Sequence, residues 1–382
     1  MARAAEPDKR IDPNDPRLTP DLIGHSNAES RLLDIWRRGR LAHAWLITGP
    51  RGVGKATLAY RFARFVLRHG VKEDSGPSLF GDAPAAPSSL HVGEDDPVFR
   101  QMAQGAHPGL KVLERPWDDK KGKRKTEIPV DDVRKLVPFF GTTAAGGGWR
   151  VAVVDTADDL NRNSANALLK ILEEPPLRGL LILVSHAPGR LLPTIRSRCT
   201  HLALGPLDDG SVSRILAARL PELVTADRDA LVRLAEGAPG RAIELAGEGG
   251  LDLYRQTAGL LAALPQIDVP GLHSFADQVA RRGADEAYAA FIDLLLQWLA
   301  RMVRRGAGRP LPEVVNGEGA VMDRLAAARP LDEWVDVWEK IRRLVARSDA
   351  VNLDRKQVVL SIFATLERAA RADAPLTTAE QR

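Results

Sequence analysis

Between residues 45 and 60 the chain reads Trp45-Leu46-Ile47-Thr48-Gly49-Pro50-Arg51-Gly52-Val53-Gly54-Lys55-Ala56-Thr57-Leu58-Ala59-Tyr60. Strand-forming residues run into Gly-x-x-x-x-Gly-Lys, and a helical pattern follows. Gly49, Gly52 and Gly54 let backbone N–H groups turn inward around phosphate oxygens, and Lys55 adds a point charge at the β/γ end. The expected nucleotide-binding set is Gly49, Pro50, Gly52, Val53, Gly54, Lys55, Ala56 and Thr57. A chance glycine-rich turn is the weaker reading, because Leu58, Phe62 and Phe65 continue at helical spacing. One position departs from the pattern. Where Ser or Thr would place a hydroxyl on Mg²⁺ stands Ala56, and Thr57 comes one residue too late. Phosphate binding can survive this change, but metal positioning is compromised.

Further along, Val151-Ala152-Val153-Val154-Asp155 is an apolar run ended by a carboxylate. It reads as a buried parallel strand whose active edge is its C-terminal end, with Asp155 directed at the glycine-rich loop. The next helix carries Ala165, Leu168, Leu169 and Leu172 on one face, takes Asn163 or Ser164 as its cap, and is stopped by Pro175-Pro176. Leu180 to Val184 gives another buried strand, ending at Ser185. Arg198 follows in Ser197-Arg198-Cys199, with Arg196 as its nearest alternative.

These residues need a scaffold, and the length of 382 residues suggests two or three domains. Strands alternating with helices, opened by a P-loop, mean an α/β domain with a parallel sheet covered on both faces, placed at residues 21–207. Residues 1–20 read as an extended arm, and 71–97, rich in Pro, Gly, Ser, Ala and Asp, as a mobile insertion. Leu110 to Leu113 is a strand, and a helix is expected from about Val130 to Phe139. Between them lies a basic loop, 119–125, read as a solvated hairpin tip in preference to a phosphate contact. Residues 208–250 suggest a small helical domain, and 251–374 a helical region. Its stripes include Phe291, Leu294, Leu295, Trp298, Leu299 and Met302, then Trp334, Trp338, Ile341 and Val345. Such stripes indicate packing or a subunit interface. Residues 375–382 should fray.

Composition narrows the class. Apolar content of 44% and charged content of 27% are ordinary for a globular protein, and no run of about 18 uncharged apolar residues spans a bilayer. The polar N-terminus lacks the apolar core of a secretory signal, so a cytoplasmic address and no membrane contact are expected. Cys199 is the single cysteine, which excludes an internal disulfide and a multi-cysteine zinc site. The net charge of +4 is compatible with work close to nucleic acid without demonstrating it.

The strand ending at Asp155, the block Asn166-Ala167-Leu168-Leu169-Lys170-Ile171-Leu172-Glu173-Glu174-Pro175-Pro176 and the triplet Ser197-Arg198-Cys199 together resemble the bacterial clamp-loader branch of the AAA+ ATPases. The likeness extends over nearly the whole chain. It implies a AAA+ domain, a small helical lid and an all-α collar that joins other subunits. The family contains ATP-hydrolysing motor subunits and a non-hydrolysing partner. Motors carry Asp-Glu where this chain has Asp155-Thr156, and threonine cannot polarise the attacking water. The family's sensor arginine in the second domain would fall at or next to Gly240, with Arg241 displaced by one residue.

Together with Ala56, three parts of the machinery depart from the motor pattern, which implies the non-hydrolysing kind. On that resemblance Asp155 is a Walker B remnant and Ser185 the sensor 1 position. Arg198 is an arginine finger given in trans to the adjacent motor subunit. ATP is expected to bind weakly or without hydrolysis. Partners would be the delta and gamma/tau clamp-loader subunits, with the sliding clamp and primed DNA reached through the complex. Family members often hold zinc with four cysteines after the P-loop helix; here that segment offers only His91 and His107, so no zinc is expected. The competing readings are a hydrolysing motor of the same fold and a DNA-binding module using residues 120–125.

Overall fold

The computed structural model describes residues 14–70, 87–120, 122–141, 148–247, 249–309, 311–351 and 353–371. The chain divides into two compact units, one ending at Ser211 and one beginning at Val212.

The first unit is built on a five-stranded parallel sheet. Its strands are β1 (Ala44–Thr48), β2 (Leu110–Leu113), β5 (Arg150–Asp155), β6 (Gly179–Ser185) and β7 (Thr200–Ala203), in the spatial order β2-β5-β6-β1-β7. A two-stranded antiparallel hairpin, β3 (Trp117–Asp118) with β4 (Lys123–Arg124), stands apart from it. Around the sheet lie α1 (Ser26–Arg37), α2 (Lys55–His69), α3 (Pro97–Ala103), α4 (Val130–Arg134), α5 (Leu136–Gly141), α6 (Arg162–Glu173) and α7 (Pro193–Arg196). Side chains alternate across a strand, so each face needs its own cover. Ala44, Leu46, Ala152, Val154, Leu181 and Leu183 pack with Leu168, Ile171 and Leu172 of α6. On β1, Trp45 instead meets Phe62 of α2, ring centroids 6.3 Å apart. Register aligns the functional ends: Thr48 pairs with Ser185, and Asp155 with Val184.

Several expectations are corrected here. The α6 cap is Asn161, whose Oδ1 accepts from the Ser164 N–H at 2.9 Å. Ser164 instead donates its Oγ proton to the Ile128 carbonyl at 2.6 Å. The helix expected from Val130 to Phe139 breaks into α4 and α5 at Lys135, because Pro138 has no N–H to give the Arg134 carbonyl.

Residues 1–13 of the arm lie outside the described residues, but 14–20 are not simply extended. Pro16–Leu18 is a 3₁₀ turn, and buried Arg64, stacked 4.1 Å from Phe99, donates to the Arg17 carbonyl at 3.0 Å. A buried guanidinium must find acceptors, and this segment supplies them. Residues 71–86 of the expected insertion lie outside the described residues too. Residues 87–97 are ordered by packing: Leu90 and Val92 are buried, and Asp96 caps α3 while pairing with Arg68 at 2.8 Å. The tail 375–382 also falls outside the described residues.

The second unit is all helix. It contains α8 (Asp209–Arg219, which crosses the boundary), α9 (Thr225–Ala235), α10 (Pro239–Gly247), α11 (Gly250–Ala262), α12 (Val269–Ala280), α13 (Asp285–Gly306), α14 (Glu318–Ala328), α15 (Leu331–Val351) and α16 (Arg355–Ala370). The stripes of α13, α15 and α16 face their own core. Phe275, Phe291 and Phe363 form a ring cluster, Trp334 donates to the Leu325 carbonyl at 3.0 Å, and half-buried Trp338 donates to the Leu296 carbonyl at 3.2 Å.

Polar links hold α9 and the turn after it to α13. The Gln297 amide donates to the Leu234 carbonyl at 2.8 Å, and Arg304 pairs with Glu236 at 3.3 Å. A separate small domain is expected at residues 208–250, and from Val212 onward that segment falls in one unit with the later helices.

Candidate functional site

The loop between β1 and α2 has the backbone that its sequence demands. Gly49, Gly52 and Gly54 take φ of 150°, 77° and 103°, values that residues with a Cβ rarely adopt. At Gly49 a Cβ would also lie 2.3 Å from the Leu204 carbonyl oxygen. Lys55 opens α2 and turns back onto the loop, its ammonium donating to the Gly49 carbonyl at 2.9 Å and the Pro50 carbonyl at 2.6 Å. The residue is only 5% exposed, and burial draws its pKa down to about 8 against the opposing charges of Asp158 and Asp155. Ala56 and Thr57 follow in the first turn, so no hydroxyl stands directly after the lysine.

The ends of β5 and β6 complete this edge of the sheet. Asp155 is pushed up to about 6, chiefly by burial and then by nearby Glu114, while Lys55 pulls the other way. Thr156, the next residue, has a buried hydroxyl without a hydrogen-bond partner among the described residues. Ser185 is fully buried and donates to Asp158 Oδ1 at 2.9 Å. Asp158 also accepts from the His186 N–H at 2.8 Å and the Ala187 N–H at 3.1 Å, so one carboxylate fixes the turn after β6.

Sequence reasoning missed Asp158, and it missed His25. The His25 ring donates from Nε2 to the Val53 carbonyl at 2.8 Å and pins the glycine loop from outside. It also missed the group beside Asp155: Asp15 bonds the Arg17 guanidinium and raises its pKa, and Arg17 approaches Glu114 at 4.0 Å. The available signals were a histidine directly after Gly24 and a carboxylate three residues beyond the β5 end.

Arg198 is not brought to this edge. It stands two residues before β7 and therefore at the N-terminal edge of the parallel sheet, while the loop follows the C-terminal end of β1. Five strand residues at about 3.3 Å each put roughly 16 Å between the two edges. There Arg198 Nη2 pairs with Glu173 at 3.0 Å and Nη1 donates to the Thr194 carbonyl at 3.2 Å. Both partners are exposed, at 38% and 52% of their side chains, which makes this a weak surface pair. Arg196 is more enclosed, and the Cys199 thiol is buried with its pKa pushed up to about 12.

In the second unit Arg241 is held within its own helices, by Asp293 at 2.5 Å and Gln297 at 2.9 Å. His91 lies by Asp21 at 3.7 Å, and His107 accepts from the Gly109 N–H at 3.1 Å. Among the described residues no group of three or more His, Cys, Asp or Glu side chains is placed to hold a metal ion. No helix among them is long and apolar enough to cross a membrane.

Comparison with known proteins bears on this edge. The family described as "DNA polymerase III, delta subunit" matches residues 24–208. The DNA polymerase III subunit delta' of Pseudomonas aeruginosa is 38% identical over 56% of this chain and 58% of its own length. The delta' subunit of Escherichia coli is 32% identical, covering 60% of each chain. A tau/gamma subunit of Haemophilus influenzae is also 32% identical, over 59% of this chain and 29% of its own. The similarity thus spans less than two thirds of each relative. Residues 24–208, which carry the glycine loop, Asp155, Ser185 and Arg198, are thus similar to the DNA polymerase III delta subunit family.

Proposed function

We propose that this chain is a delta-prime-type subunit of a DNA polymerase III clamp loader, which supports ATP-driven loading of the sliding clamp onto primed DNA without hydrolysing ATP itself. One observation carries the reading: Arg198 is exposed at the sheet edge opposite its own P-loop, out of reach of that loop and open to a neighbour. Transferring a γ-phosphoryl group spreads negative charge over its oxygens, and an arginine from an adjacent subunit stabilises that charge. Three features argue against hydrolysis in cis. Ala56 offers no hydroxyl to Mg²⁺, Thr156 replaces the glutamate, and Arg241 is engaged by Asp293 and Gln297.

The glycine cradle and Lys55 support weak nucleotide binding. On this reading the neighbours are the delta and gamma/tau subunits, and the complex works in the cytoplasm. The helices from Leu251 onward form the collar. Collar contacts would then draw mainly on surfaces other than the aromatic stripes, which are largely buried within the unit apart from half-buried Trp338 and Val345.

The alternative, an ATP-hydrolysing motor subunit of the gamma/tau kind, draws on the same intact cradle. Steady-state ATPase separates the two. The isolated chain should turn over ATP no faster than Lys55→Ala, and Lys55-dependent turnover would establish the motor reading. In the assembled loader, Arg198→Ala should reduce DNA-stimulated ATPase and clamp loading while the complex still forms. Wild-type rates in that variant would refute the trans role.

A further inference from the structure

The β3–β4 hairpin takes no part in the glycine loop or the Arg198 edge. It carries Trp117, a residue 56% exposed whose side chain makes no ring contact or hydrogen bond among the described residues. A tryptophan left in water forgoes a large apolar burial, and one on a hairpin of charged residues is not there to fill a core. Trp117 pairs directly across the ladder with Arg124, so the two side chains leave on the same face. The Arg124 guanidinium is held by the Arg115 carbonyl at 2.9 Å and by Glu114 at 3.2 Å. The hairpin is closed by the Lys125 N–H donating to the Pro116 carbonyl at 2.8 Å, and its base is tied down by Arg115 pairing with Asp159 at 3.1 Å. Lys120 and Lys125 are both exposed. Residues 115–125 hold six cationic side chains against two anionic ones.

A charge run alone would need only water. An exposed indole face among cations suits a flat partner that carries negative charge, and an unpaired base with its phosphate is both. We propose that this hairpin binds single-stranded nucleic acid, with a base stacked on Trp117 and backbone phosphates met by Lys120 and Lys125. A duplex buries its base faces, and an acidic protein surface does not set a ring beside a negative charge at every residue as a single strand does.

The test uses the full chain and a labelled oligo(dT), with binding followed by anisotropy at low salt and a blunt duplex of equal length as control. Trp117→Ala should weaken oligo(dT) binding about tenfold, as one base stack is worth, and Trp117→Phe should restore most of it. Duplex binding should change less than about twofold in both. Lys120→Ala with Lys125→Ala should flatten the salt dependence of log K by about 1.4, the share of two phosphates on a single strand. Because these side chains are exposed, circular dichroism should show all variants folded. The proposal is overturned if the wild type does not bind oligo(dT), if Trp117→Ala binds it as well as wild type, or if that variant loses single strand and duplex alike.

Discussion

Lys55 is the residue whose environment makes the sharpest prediction. Its folded pKa of about 8 lies below the ordinary lysine value of 10.5. Between those values the unfolded chain holds a proton that the folded chain has released, so stability rises with pH across that window. Wild type should therefore gain thermal stability from pH 8 to pH 10 relative to Lys55→Met; parallel pH profiles would refute the assignment. Phosphate binding runs the opposite way, because it needs the charged ammonium, and nucleotide affinity should fall as pH passes about 8.

Glu173 is a second test at this scale. As an exposed pair it contributes about 1 kcal/mol or less, so Glu173→Gln should barely move the unfolding midpoint. It should not lower the ATPase of an assembled complex, whereas Arg198→Lys should, because lysine lacks the planar fork of donors. Equal effects of both changes would mean that the pair itself, not the arginine, matters.

Among elements, what the sequence revealed depended on how local the cause was. The glycine loop was legible because its spacing is the mechanism, and the buried strands because runs such as Val151 to Val154 and Leu180 to Val184 admit few other placements. The α6 cap lies two or three residues before the expected one, since Asn161, Asn163 and Ser164 all suit the role and only the three-dimensional partner of Ser164, the Ile128 carbonyl, decides among them. Asn161→Ala should cost about 1 kcal/mol of stability, while Asn163→Ala, on the exposed side, should cost far less. Comparable losses by chemical denaturation would contradict the capping assignment. His25 and Asp158 were not legible, because their partners are backbone groups 28 and 29 residues away at Val53 and Ala187. No periodicity records such a contact.

For the molecule as a whole, the sequence places domain boundaries near residues 207 and 250, and only the first has a packing break beside it, at Ser211–Val212. Within the second unit, the reason lies in buried polar groups spread along the sequence. Glu318 accepts from the Tyr254 hydroxyl at 2.8 Å and the Val314 N–H at 2.6 Å, and pairs with Arg301 at 3.4 Å. Arg301 in turn reaches Glu236 at 3.9 Å, so one network joins the turn after α9 to α11, α13 and α14. Removing one partner of a buried pair leaves the other uncompensated, and Glu318→Ala should destabilise this unit by about 3–5 kcal/mol. A loss below about 1 kcal/mol in denaturant titration would show the network to be dispensable. The aromatic stripes were legible as apolar faces, but whether they met a neighbour or their own core was not, because both environments ask for the same residues.

Placing the phosphate loop and Arg198 at opposite edges of one parallel sheet gives the first unit a direction. An isologous twofold contact sets the same patch of two molecules against each other, and cannot bring the front of one to the back of the next. Contacts that join these two edges are heterologous, and copies or relatives related in that way extend as an arc, a ring or a helix. A twofold dimer joined through either edge alone would leave both loops without a donor.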